Sequence, residues 1–167
     1  SITEPEFNAM KPDGVTVHIT RMPIHFHPEE DGFKNLLDDL EIRLIELKTC
    51  GVDTVIYNCT VGSMACPADL LINKLRDTSG VEAVSTTGSI LQAFKTLGVS
   101  KIALATPYPQ AWNEHEKAYL ADHGFDVVAM AGLEFPETGT ALGRRFGGVS
   151  PSEIFNHALA VDHPDAD

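Results

Sequence analysis

The sequence predicts an α/β protein, with parallel strands buried between helices and the chain arranged as two related lobes. Three observations carry this. Runs of apolar and β-branched residues alternate with segments of helical period, the order from which a parallel sheet covered by helices is built. The strand candidates are apolar along nearly their whole length, as strands covered on both faces are. Finally, residues 3–18 (TEPEFNAMKPDGVTVH) align with residues 113–128 (NEHEKAYLADHGFDVV) at a constant offset of 110. The alignment pairs Glu4 with Glu114, Glu6 with Glu116, Gly14 with Gly124 and Val17 with Val127. Each copy reads as helix, glycine stop, strand.

In chain order, the first copy gives a helix before Gly14 and a strand over 15–20 (VTVHIT). Leu36, Leu37, Leu40, Leu44 and Leu47 then mark one face of a helix, which Gly51 ends. DTVIYN (53–58) is the next strand, followed by a Thr-Val-Gly-Ser turn and a helix that Pro67 opens and Leu70, Leu71 and Leu75 stripe. VEAVST (81–86) precedes a helix with Ile90, Leu91, Phe94 and Leu97 on one face and Gly98 at its end. KIALAT (101–106), the second repeat helix, Gly124 and DVVAMA (126–131) follow. Ser150-Pro151-Ser152-Glu153 has the cap, the early proline and the acid of a helix start. Extending the repeat places a strand before Ser1 and another, equivalent to 53–58, from Asp167 onward. On this reading the sequence lacks the first strand and the C-terminal part of a larger two-lobed protein, with 1–98 as the first lobe and 99–167 as part of the second.

Composition narrows the function. The 167 residues are 43% hydrophobic and carry a formal net charge of −12, so phosphate backbones and anionic lipid surfaces are repelled and neither nucleic acid nor membrane is an expected partner. No apolar run approaches the roughly 18 residues of a membrane span, and no basic-then-apolar leader opens the sequence. Cys50, Cys59 and Cys66 are an odd number without a CxxC pair. That fits neither a disulfide framework nor a four-cysteine zinc site, and it suggests the cytoplasm. His25, His27, Glu29 and Glu30 in HFHPEE are a potential metal cluster without a third ligand at suitable spacing, so no metal is expected.

The residues of most chemical interest lie where strands end. In open α/β sheets ligands bind at the carboxyl ends of the strands. Cys59 lies at such an end, with Thr60, Gly62 and Ser63 after it. Thr86-Thr87-Gly88-Ser89 follows the next strand and Thr106-Pro107-Tyr108-Pro109 the fourth. Hydroxyls and helix-start amides suit a bound carboxylate, and a helix start lowers the pKa of a thiol. A lone cysteine beside a strand is more often a small buried hydrophobe, and Thr or Ser at a helix start is often only a cap. The convergence of three such ends favours a site, with Cys59 as its reactive thiol. Cys50, beside Gly51, reads as structural, Cys66 as packing against the following helix, and Arg144 and Arg145 as able to reach an acidic substrate.

TEPEFNAMKPDGVTVHITRM, YNCTVGS, STTGSILQAFKTLGVSKIALATPYPQAWNE and GFDVV together resemble the maleate cis-trans isomerase and arylmalonate decarboxylase group of the Asp/Glu racemase superfamily. The resemblance implies two pseudo-symmetric Rossmann-like lobes with the active site between them. It implies a cysteine from each lobe in members that isomerise or racemise, Cys59 being the first-lobe one, whereas the decarboxylases lack that first cysteine. Thr60 and Tyr108 match positions that hold a substrate carboxylate, and Thr86, Thr87 and Ser89 join them as expected substrate contacts. The activity implied is a cofactor-independent cis-trans isomerisation of a small dicarboxylate. Arylmalonate-type decarboxylation, Asp/Glu-type racemisation and a non-catalytic carboxylate-binding domain are the alternatives. A homodimer is compatible with it.

Overall fold

The computed structural model describes residues 3–25, 27–137 and 139–167. The order of elements is α1 (Glu4–Met10), a 3-10 turn (Pro28–Asp31), α2 (Lys34–Thr49), β1 (Thr54–Tyr57), α3 (Thr60–Ala65), α4 (Ala68–Ser79), β2 (Glu82–Ser85) and α5 (Thr86–Leu97). Then come β3 (Lys101–Thr106), α6 (Gln110–Asp122), β4 (Asp126–Gly132), α7 (Gly139–Gly147) and α8 (Pro151–Val161). The α/β class is as the sequence predicts, and both sheets are parallel. The chain divides into two compact units, Ser1–Ile90 and Leu91–Asp167.

In the first unit β1 pairs with β2, from Thr54 opposite Glu82 to Tyr57 opposite Ser85. Leu36, Leu40 and Leu44, one helical turn apart on α2, meet Leu71 and Leu75 of α4 over Val55 of β1 and Ala83 of β2. Four-residue spacing keeps each set on one helix face. Leu70, also expected on that face, is 39% exposed, because one residue turns the side chain about 100° around the helix from Leu71.

In the second unit β3 pairs with β4, and the register slips by one residue between Ile102 and Ala103. Ile102 faces Val127 but Ala103 faces Ala129, which leaves Val128 as an extra residue, and the ladder ends with Thr106 opposite Gly132. Leu91, Leu120, Phe125 and Val127 form the core, with Phe94 edge-on to Phe125 at 5.3 Å. Leu97, predicted to share the stripe of Leu91 and Phe94, is 75% exposed at the last turn of α5. α8 starts as its sequence signals: Ser150 Oγ accepts the N–H of Glu153 at 3.2 Å, and Glu153 Oε2 accepts the N–H of Ser150 at 2.9 Å. At the opening of β3 the Asp167 carboxylate accepts the N–H groups of Ser100 (2.6 Å) and Lys101 (2.8 Å) and the Ser100 hydroxyl (3.0 Å).

Two local expectations need correction. Residues 15–20 are not a strand; they run as irregular chain, with Val15 45% exposed. Val15, Val17 and Ile19 have strand propensity, but propensity is realised only against a pairing partner, and the segment has none among the described residues. The repeat therefore holds for the helix and for the left-handed glycine that follows it (Gly14 φ 83°, Gly124 φ 89°), not for the strand. The second correction concerns the turn after Cys59, which is the short helix α3.

Candidate active site

Cys59 ends the extended run that leaves β1. Its backbone is still extended (φ −149°, ψ 111°), and it caps α3 with its own sulfur, which accepts the N–H of Gly62 at 3.4 Å. The residue keeps part of its surface in solvent. Even so, the atoms packed around the sulfur push the thiol above its ordinary value, and the Gly62 N–H offsets this only in part. The helix start therefore does not lower this thiol as the sequence suggested, and the resting group at neutral pH is the thiol.

Gly62 is required here for space. A Cβ on it would lie 2.6 Å from Tyr57 Oη and 3.1 Å from Cys59 Sγ. Tyr57, the last residue of β1, is half-buried; burial and its two thiol neighbours, Cys59 and Cys66, push the phenol pKa up, so it stays neutral. Cys66 is 1% exposed and belongs to the core, while Cys50 is exposed at the end of α2.

The hydroxyls at the next strand end divide their work. Thr86 Oγ1 donates to the Tyr57 carbonyl (3.3 Å) and to Asn58 Oδ1 (3.4 Å), tying the end of β2 to the end of β1. Thr87 is 1% exposed and Ser63 2%. Their hydroxyls bond one another, and both lie within hydrogen-bond distance of the Thr60 carbonyl, at 3.3 and 2.9 Å, so that one donates to the carbonyl while the other donates across the pair. Thr87 is thus engaged in holding α3 against α5, and a direct bond to a substrate would break that network. Thr60, half-buried in the first turn of α3, and Ser89, exposed in the first turn of α5, are not so enclosed.

In the second unit the ends of β3 and β4 border a cleft of about 460 Å³ that Tyr108 lines together with Met130, Leu133, Phe135 and Leu142. Tyr108 packs against Trp112 and Phe146, with ring centroids 5.7 and 5.8 Å away. A buried polar knot holds its backbone. Asn113, fully buried on α6, accepts the Thr106 hydroxyl at 2.5 Å and donates to the Tyr108 carbonyl at 3.2 Å, while the Tyr108 N–H donates to Thr106 Oγ1 at 3.0 Å. His157 of α8 donates from Nε2 to the carbonyls of Thr106 and Ala131, both at 3.1 Å. A Cβ on Gly132 would sit 2.0 Å from the Tyr108 carbonyl oxygen, so the backbones meet only because that residue is glycine.

Sequence reasoning missed Tyr57, Asn113 and the spatial need for Gly62 and Gly132. Nearness in sequence to Cys59 and Tyr108 could have flagged Tyr57, Gly62 and Asn113, whereas Gly132 is distant in sequence from both. Among the described residues no group of three or more His, Cys, Asp or Glu could hold a metal; His25 instead meets Asp39 at 3.0 Å. Arg145 lies over the Phe135 ring at 4.8 Å and 3.7 Å from Glu153. No helix among the described residues is long and apolar enough to cross a membrane.

The profile of the arylmalonate decarboxylase family matches residues 5–143. The chain belongs to this family. Within reach of it are curated maleate isomerases of Geobacillus stearothermophilus, 25% identical over 160 residues, and of Alcaligenes faecalis, 24% identical over 162; each match covers 91% of the chain. The chain spans about 61% of the length of these relatives. Among solved structures, the Nocardia farcinica maleate cis-trans isomerase bound to TRIS superposes with a TM-score of 0.82 at 20% identity, over 100% of this chain and 70% of that one. A cysteine-to-serine mutant of the same isomerase, solved with a covalently bound succinylcysteine intermediate, gives 0.79 at 22% identity, over 98% and 68%. A glycine-to-cysteine mutant of arylmalonate decarboxylase gives 0.68 at 24%, over 82% and 59%. These likenesses confirm the family fold.

Proposed function

We propose that the whole protein is an isomerase that converts a small cis dicarboxylate of the maleate type into its trans isomer, with Cys59 as nucleophile. The observation that carries this is the setting of Cys59, at the carboxyl end of β1 as the cap of α3 and next to the residues that Thr86 ties to the start of α5, in a family with a relative solved with a covalently bound succinylcysteine intermediate. The Cys59 thiol first loses its proton to solvent. The sulfur anion then adds to one alkene carbon, and the electron pair of the double bond moves into the adjoining carboxylate system. The former double bond is now single and rotates by half a turn. Expulsion of the sulfur restores the double bond in the trans geometry and regenerates the anion. Thr60, Thr86, Ser89 and Tyr108 are the proposed carboxylate contacts, with Thr86 turning its proton from the Tyr57 carbonyl to the acid, and they fix the acid while its central bond turns. Thr87 supports them from within the Ser63 pair.

The test is turnover of maleate by the full-length enzyme in heavy water, followed by NMR. Fumarate without deuterium on the alkene carbons is the expected product, and Cys59→Ser should lose nearly all of it, since an alcohol is far less acidic and a poorer nucleophile. Carbon dioxide released from an arylmalonate, or deuterium gained at the α-carbon of aspartate, would replace this reading with decarboxylation or racemisation. Full activity in Cys59→Ser would end it.

A further inference from the structure

The resting Cys59 is a thiol held above its ordinary pKa by the atoms around it, yet the proposed chemistry needs its anion. Gly62 N–H is one donor to the sulfur. We infer that the Tyr57 hydroxyl is a second: Tyr57 is a positioning residue whose phenol donates a hydrogen bond to the Cys59 sulfur once the proton has left. The inference rests on Cys59 being the reactive thiol.

The geometry is local. Tyr57 and Cys59 stand two residues apart on chain that is still extended at Cys59, and such a spacing puts both side chains on one side. They converge over Gly62, where the empty Cβ position is 2.6 Å from Oη and 3.1 Å from Sγ. The absence of a side chain there keeps the path between oxygen and sulfur open. The other group bearing electrostatically on Tyr57 is Cys66 at the end of α3, a buried thiol that is itself pushed up and so uncharged at neutral pH. Because the phenol is pushed up too, it keeps its proton across the range in which Cys59 ionises, and it acts as a donor throughout. The proton of the sulfur leaves to solvent, the phenol retains its own, and no further group changes charge. A hydroxyl beside a sulfur anion in a half-buried setting counters the desolvation that raises the thiol.

Alkylation separates this from a purely structural role. Native protein is treated with iodoacetamide across pH, the rate at Cys59 is read by peptide mass, and the exposed Cys50 serves as the internal reference. In Tyr57→Phe, which keeps the ring and its packing, the midpoint for Cys59 should rise by about one pH unit, so that labelling below the midpoint slows about ten-fold. The Cys50 midpoint should not move. Tyr119→Phe, a phenol elsewhere in the molecule, should leave both unchanged. An unmoved Cys59 midpoint in Tyr57→Phe, with labelling otherwise intact, overturns the inference while leaving Cys59 as the reactive thiol. If Cys59 resists alkylation at every pH in the parent protein, the reactive-thiol reading falls, and the role of Tyr57 with it.

Discussion

At the scale of single residues, the neighbourhood of Cys59 is governed by a glycine. Gly62 is helical and needs no unusual backbone angle; what it supplies is room between a phenol and a sulfur. Gly62→Ala must displace Tyr57 or Cys59, and overpacking of this kind costs about 1–3 kcal/mol. Thermal unfolding should therefore fall by several degrees, and the alkylation rate at Cys59 should change with it, whereas Gly88→Ala, whose Cβ would meet only Ser85 Oγ at 3.1 Å, should leave that rate near its parent value. Equal effects of the two substitutions on Cys59 would show that the crowding over Gly62 has no bearing on the sulfur.

At the scale of elements, β3 is tied at both ends by polar groups. At its start, the Ser100 and Lys101 N–H groups and the Ser100 hydroxyl hold the Asp167 carboxyl below the usual carboxylate range. A lowered acid contributes stability above its unfolded pKa, near 3.9, and loses it as pH falls through the lower folded value. Asp167→Asn should thus melt below the parent at neutral pH, and the gap should close as the pH is taken below about 4. A gap independent of pH would assign the effect to something other than the charge. How far these elements could be read in advance depended on whether their causes were local. The helix start at Ser150, the glycine stops and the apolar strands at 54–57, 82–85, 101–106 and 126–132 follow from neighbours in sequence, and they were legible. The irregular path of 15–20 was not, because whether such a segment becomes a strand depends on a distant partner. Cys59 was legible as a strand-end thiol. The direction of its pKa was not, since that depends on how tightly Tyr57 and α3 close around it, and the burial of Thr87 depends on Ser63, 24 residues away.

For the molecule as a whole, the described chain has two separate hydrophobic clusters, one around Leu71 and Leu75 and one around Leu120 and Phe125. Truncating a fully buried leucine costs about 2–5 kcal/mol. Leu71→Ala should therefore raise amide exchange across α2, α4, β1 and β2, and Leu120→Ala across α6, β3 and β4, each more than in the other unit. Uniform loss of protection from either substitution would mean that the two clusters unfold as one.

The extra residue in β4 has a consequence at the far end of that strand. Had the first pairing, Ile102 with Val127, continued unbroken, Thr106 would face Ala131. The methyl group of that alanine would then occupy the place where the Tyr108 carbonyl now comes within 2.0 Å of a Cβ position. Val128 acts as a one-step phase shift, spent early on the strand, that carries the side-chain-free residue to the end of the ladder, where the Tyr108 backbone closes on it. The reach of Tyr108 into its cleft is thus timed by a valine four residues upstream of the glycine that makes room for it.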